Sequence, residues 1–277
     1  MNGKIVTVTL NPSIDKSISI DTIVPYGLNR VINSRTDPGG KGINVARVLK
    51  NFGVDVTALG LIAGSQGKLL TDYLKRMEIK TDFLEIDGET RTNLKILDNS
   101  VNRITEINET GVCVTPDDLN RFREKYKIYA EQSDVIVLSG SLPPGISQDF
   151  YAECISIAKN KGKKVILDAD GEALQKGLKS IPFAVKPNTH EFELLTGQKF
   201  SNKVEIIREV KKLIDTGIEI VIISMGPDGA IVADNNEIYQ VNTWNVEVRN
   251  ATGAGDAMVA ALAFSLFKSY SLYEIAQ

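Results

Sequence analysis

The chain has 277 residues, 43% hydrophobic and 24% charged, with a formal net charge of −3. That composition belongs to a globular protein large enough for one α/β domain, or for one with a small appendage. No apolar run is long enough to span a bilayer, MNGKIVTVTLNPSID lacks the layout of a secretion signal, and the slight negative charge offers nothing to nucleic acid, so a cytoplasmic protein with neither partner is expected.

In chain order, apolar strand patterns alternate with helical ones. KIVTVTL (4–10), VTALGLI (56–62), DVIVLSG (134–140), KVILDAD (164–170), FAVKPN (183–188) and EIVIISMG (219–226) predict buried strands. Between them INVARVLKNF (43–52), LLTDYLKRM (69–77), FYAECISIAKNKG (150–162) and KVEIIREVKKLIDTG (203–217) predict helices. Such alternation implies a mostly parallel sheet covered by helices, with ligands at the carboxyl ends of the strands. Asn11, Ser139 to Ser141, Asp168, Lys186, Asn188 and Ser224 to Gly229 fall at those ends.

Two segments break the alternation. KSISIDTIV (16–24) with RVINSRT (30–36), and TRTNLKILD (90–98) with NRITEIN (102–108), have period-two patterning and predict a small second sheet. The expected division is a core of 1–12, 37–88 and 110–277, with 13–36 and 89–109 as a lid that excludes water from a reactive phosphate.

NATGAGD (250–256) sets tiny residues and one acid before an apolar helix. Thr252 or Asp256 could be ordinary caps of that helix. The alternative is functional: Gly253 and Gly255 leave backbone N–H groups uncovered at a helix N-terminus, where an anion can approach. A carboxylate repels phosphate, so Asp256 is poorly suited to bind it and well suited to deprotonate whatever attacks it. PGGKGINVARVLKNFG (38–53) is a second glycine-led helix start, in which Gly39 and Gly40 open the backbone and Lys41 adds a cation, implying a phosphorylated substrate. SMGPDG (224–229) and KPNTHE (186–191) read either as a turn and a helix cap or as parts of a site; Asn188 and Glu191, one turn apart, suit water around Mg²⁺. One histidine, His190, excludes a His-rich metal site, and Cys113 and Cys154 lack the spacing of a zinc site.

Together NPSID (11–15), GGKGINVARVL (39–49), TRTNLKI (90–96), SGSLPPG (139–145), KPNTHE, SMGPDG and NATGAGD follow the order seen in the PfkB branch of the ribokinase-like sugar kinases, which the chain resembles throughout. The resemblance implies a ribokinase-like three-layer α/β/α core and an ATP- and Mg²⁺-dependent kinase acting on a sugar hydroxyl. It implies Asp256 as the catalytic base and the amides of Gly253, Ala254 and Gly255 as the anion hole. Asp15, Gly39, Gly40 and Asn44 match positions that hold the sugar; Lys186, Asn188, Ser224, Gly226 and Gly229 match the nucleotide side; Asn188 and Glu191 match the motif near Mg²⁺. Lys41 and Arg91, with Arg30 a weaker third, suggest a phosphorylated ketohexose. TRTNLKI and NRITEIN favour fructose 1-phosphate over tagatose 6-phosphate, and a sugar-phosphate sensor without catalysis is the reading of another class. Relatives usually continue beyond SLYEIAQ by about one helix that helps shape the adenine pocket, so adenine contacts are incomplete. A homodimer through the lid is also expected.

Overall fold

The computed structural model describes residues 4–243 and 253–277. The first half contains β1 (Ile5–Thr9), β2 (Ser13–Ile20), β3 (Asn33–Gly39), α1 (Lys41–Asn51), β4 (Val56–Ala63), α2 (Gly64–Arg76), β5 (Lys80–Thr81), β6 (Leu84–Ile86), β7 (Arg91–Asp98), β8 (Arg103–Asn108) and α3 (Pro116–Gln132). The second contains β9 (Val135–Ser139), α4 (Phe150–Lys159), β10 (Lys164–Asp168), α5 (Gly171–Leu178), β11 (Ala184–Val185), α6 (Thr189–Thr196), α7 (Lys203–Asp215), β12 (Ile220–Ser224), β13 (Ala230–Ala233), β14 (Ile238–Val241), α8 (Ala254–Lys268) and α9 (Leu272–Ala276).

The large sheet runs β14-β13-β12-β11-β10-β9-β1-β4-β5, with β6 also on β4, and is parallel except where β13 and β14 turn back antiparallel. Its central strands are apolar on both faces. Val6, Val8, Ile136 and Leu138 pack with α3 to α7, while Ile5, Val135 and Val137 pack with α1, α2, α8 and α9. This period-two division of an unbroken apolar run makes the three layers: each strand face meets its own set of helices. The ribokinase-like α/β architecture expected from the sequence is what the chain adopts.

The second sheet runs β3-β2-β7-β8, with β2 and β7 parallel and the outer pairs antiparallel. Its strands differ from expectation at several boundaries, β2 running from Ser13 to Ile20 rather than over 16–24. β3 begins at Asn33 rather than Arg30 and continues to Gly39, because Pro38 and Gly39 still pair with Ile14 and Ser13. Asp37 to Gly39 therefore belong to the small sheet, and Gly40 alone joins that sheet to α1. Among the described residues no helix is long and apolar enough to cross a membrane.

Candidate active site

α8 is built to leave its first turn open. Its N-cap is Gly253, left-handed at φ 87° and without a side-chain cap, and Asp256 is the third helical residue rather than the cap. The capping role considered for Asp256 is thus not the one it has, while Asn250 and Thr252 lie outside the described residues. Ala254, Gly255 and Asp256 line a cavity of about 800 Å³ with Lys41, Asp168, Lys186, Asn188 and Glu191. The uncapped N–H groups of that turn offer donors and the positive end of the helix dipole to an anion.

Asp256 is 8% exposed, and its Oδ2 accepts a hydrogen bond from Asn44 Nδ2 at 2.8 Å. Burial pushes its carboxyl above the usual range. The Asn44 bond opposes that rise, Asp168 adds to it, and Lys41 and Lys186 oppose it. An acid shifted upward in this way is a better proton acceptor than an exposed aspartate.

Two lysines face this acid across one buried carboxylate. Lys186, 4% exposed, and Lys41 each bring Nζ to 3.5 Å from Oδ1 of Asp168, itself 1% exposed, and Lys41 also approaches Glu191 at 3.8 Å. A Cβ on Gly255 would stand 3.5 Å from Lys186 Nζ, so that ammonium lies against the open turn of α8. Burial would lower the Lys41 pKa; Asp168, Glu191, Asp170 and Asp256 outweigh it and raise it, keeping the ammonium charged. Asp168 also accepts from Ser139 Oγ, at 3.2 Å. It is the hub of the cation pair, and its only signal in the sequence was its place at the end of a buried strand.

The small sheet closes the other side. Ser13 Oγ and Asn93 Nδ2 both donate to Asp15 Oδ1, at 2.7 and 3.1 Å, and Lys95 Nζ stands 3.6 Å from Oδ2. A Cβ on Gly39 would fall 2.3 Å from that Oδ1, so only glycine lets β3 pass so close to Asp15. Asp15, Asn44 and Gly253 line one groove with Arg35, Arg47 and Lys95, which brings two of the four sugar-side residues of the sequence together and adds three cations that sequence reasoning missed. Arg91 stands apart from this groove. Its Nη1 and Nη2 donate to the carbonyls of Glu109 and Asn11, and its buried Nε has no partner among the described residues. Burial holds its guanidinium below the usual value, against the pull of Asp15 and Glu109.

The two cations that suggested a phosphorylated substrate stand apart here: Lys41 opens α1 at the carboxyl end of β10, where Asp168 and Glu191 draw its ammonium into the Asp256 cavity. Arg91 lines neither the cavity nor the groove.

On the remaining side Ser224, Gly226 and Gly229 line the Asp256 cavity with Ala230, Val241, Asn242, Thr243 and Met258, so that polar and apolar side chains share this wall. SMGPDG is also the turn it resembled, a 3₁₀ turn that reverses the chain between β12 and β13. Asn188 and Glu191 form a capping box on α6: Asn188 Oδ1 accepts from Glu191 N at 2.8 Å, and Glu191 Oε2 accepts from Asn188 N at 2.9 Å. The cap reading of KPNTHE is therefore correct as far as it goes. It leaves Oε1 of Glu191 for the cavity, where Lys41 approaches it.

Residues 8–277 match the pfkB family of carbohydrate kinases. The chain is 37% identical over 270 residues to 1-phosphofructokinase of Bacillus subtilis, an alignment covering 98% of this chain and 88% of that protein. Phosphofructokinase-2 from Escherichia coli, solved with fructose 6-phosphate, superposes with a TM-score of 0.93 at 30% identity, over 99% of this chain and 90% of that one. A possible 1-phosphofructokinase from Thermotoga maritima superposes with a TM-score of 0.88, also at 30% identity, over 99% and 88%.

Proposed function

Because this chain belongs to the pfkB family of carbohydrate kinases, phosphotransferases that use ATP and an alcohol acceptor, we propose that it phosphorylates the 6-hydroxyl of fructose 1-phosphate. The observation that carries the reading is the placement of Asp256 at the open turn of α8, in one cavity with Lys41 and Lys186. Phosphoryl transfer asks a protein for positioning and charge neutralisation more than for covalent participation. Asp256 takes the proton of the attacking hydroxyl. The N–H groups of Gly253, Ala254 and Gly255 receive the transferring phosphoryl, and Lys41 and Lys186 balance its charge.

Asp15 and Asn44 hold the sugar in the groove below the small sheet, with Gly39 and Gly40 opening the backbone to it, and Arg91, whose buried Nε lacks a partner among the described residues, is the cation for the acceptor's own phosphate. Lys41 passes from that role to the transferring group. Ser224, Gly226 and Gly229 bound the nucleotide, and Ala230, Val241 and Met258 give the adenine an apolar seat. The oxygen donors of Glu191 and Asn188 fit Mg²⁺ held through water, which would neutralise charge on the ATP phosphates.

The small sheet serves as the lid. All six residues of β8 are exposed, with Ile104 and Ile107 more than half so. We assign that apolar edge to a homodimer, in line with the tetrameric form known for phosphofructokinase-2. Light scattering that reads a monomer at assay concentration removes this assignment.

The acceptor is tested by kcat/KM with fructose 1-phosphate, tagatose 6-phosphate, fructose 6-phosphate and free fructose. Fructose 1-phosphate should lead. A preference of tenfold or more for another sugar, about 1.4 kcal/mol in transition-state binding, overturns the choice.

A further inference from the structure

Asn44 stands between a group that only accepts hydrogen bonds and one that only donates them. Its Nδ2 donates to Asp256 Oδ2 at 2.8 Å, and its Oδ1 accepts from Arg47 Nη1 at 3.3 Å. A carboxylate has no proton to give and a guanidinium has no lone pair to offer, so the amide satisfies both neighbours in one orientation alone. Turned over, it would set its oxygen against the carboxylate and its NH₂ against the guanidinium. Residues 44 and 47 lie three apart on α1, on one face of the helix, and Arg47 lines the same groove as Asp15, Asn44 and Gly253.

We propose that Arg47 is a positioning residue: it locks the Asn44 amide so that Oδ2 of Asp256 stays occupied and Oδ1 is the oxygen that accepts the substrate's proton. This rests on the reading of Asp256 as the base. A carboxylate free to rotate would present either oxygen at a range of angles, and proton transfer depends on holding one of them within hydrogen-bond reach of the hydroxyl. The lock also fixes which amide face Asn44 turns to the sugar, so its own contact with substrate is set by the same bond.

Other charged groups act on Asp256 as well: Lys41 from α1, Asp168 at the end of β10 and Lys186 after β11, and Glu191 from α6 lines the same cavity. Removing Arg47 also removes a positive charge, so a single variant does not separate a lock from a simple field. A double-mutant cycle does, because a lock acts only through Asn44.

The experiment compares the wild-type chain with Arg47→Met, Asn44→Ala and the double variant, reading steady-state kinetics and the Asp256 titration by ¹³C carboxyl NMR, with Asp256→Asn assigning the resonance. Arg47→Met should lower kcat about tenfold, the worth of one charge-assisted bond, and leave the KM of the phosphosugar within about threefold. Losing a donor to the charged form should move the Asp256 titration, and the acidic limb of kcat, to higher pH. In the Asn44→Ala background Arg47→Met should change neither quantity further. An equal effect in both backgrounds overturns the lock, as does a rise in KM with kcat retained, which would make Arg47 a ligand of the acceptor phosphate. If Asn44→Ala does not fold, Asn44→Ser supplies the background. Turnover surviving in Asp256→Asn would remove the base reading, while the NMR cycle would still decide whether Arg47 acts on the carboxylate through Asn44.

Discussion

α1 and α8 reach one cavity from opposite ends of the chain, and they begin almost alike. Each follows a glycine of positive φ, 116° at Gly40 and 87° at Gly253, and neither start has a side-chain cap. Their first turns then carry opposite charges, Lys41 in α1 and Asp256 in α8. A helix dipole favours the acid at its N-terminus and disfavours the lysine, so helix stability explains one of these placements and not the other. Burial overrides the dipole for Asp256, whose carboxyl is pushed up where the helix terminus alone would pull it down. The carboxylates around Lys41 override both burial and dipole, and keep it charged. In the proposed reaction the two starts serve what enters between them: donors and cations for a phosphoryl group, and one acid for a proton.

The largest expected effect breaks the acidic half of that pair. Asp256→Asn keeps the size of the side chain and removes its basicity, and positioned general bases contribute about 10²- to 10⁴-fold. We expect kcat to fall by at least ~10²-fold, with sugar affinity by calorimetry nearly intact. A kcat within a few-fold of wild type would take the proton-acceptor role away from Asp256.

The contrast also shows which parts of the site can be seen before folding. The layered α/β fold was legible because β1, β4, β9, β10 and β12 are mostly apolar runs rich in β-branched residues, with amphipathic helices between them. The small sheet was legible from its period-two segments. The glycine-led starts were legible because few other contexts need small residues and a charge just before an apolar helix. Other parts were not reached. α3 went unassigned among charged residues, although Thr115, Pro116 and Asp118 form a capping box with proline in the first turn, and Phe122, Tyr126 and Ala130 repeat at i+4. β13 and β14 were hidden because four-residue strands carry too short a pattern to read. Within the site, Arg47 carried no signal of its own, and the bond from its neighbour Asn44 to Asp256 exists only once α8 is packed on α1.

Lys41 marks the same limit, and it supplies the smaller and more discriminating test. Sequence gave it a sign and a helix terminus, but its partner depends on which strand end α1 meets, and that end carries Asp168. Grouped with Arg91, it would bind a phosphate that keeps the same charge in ground and transition states, so its loss would raise KM and spare kcat. Grouped with Lys186, it faces a phosphoryl whose charge is redistributed during transfer, so its loss should appear in kcat. Replacing either residue by methionine should cost on the order of 1.5 to 3 kcal/mol, about 10- to 100-fold, for a charge-assisted contact. We expect Lys41→Met to lower kcat by that factor with fructose 1-phosphate and with free fructose alike. Arg91→Met should raise KM for the phosphosugar and leave the kinetics of free fructose nearly unchanged, since that acceptor has no phosphate for the guanidinium to hold. If Lys41→Met follows the Arg91 pattern, raising KM for the phosphosugar alone, then the lysine leaves Asp168 when substrate binds, and the cation serving α8 is Lys186 by itself.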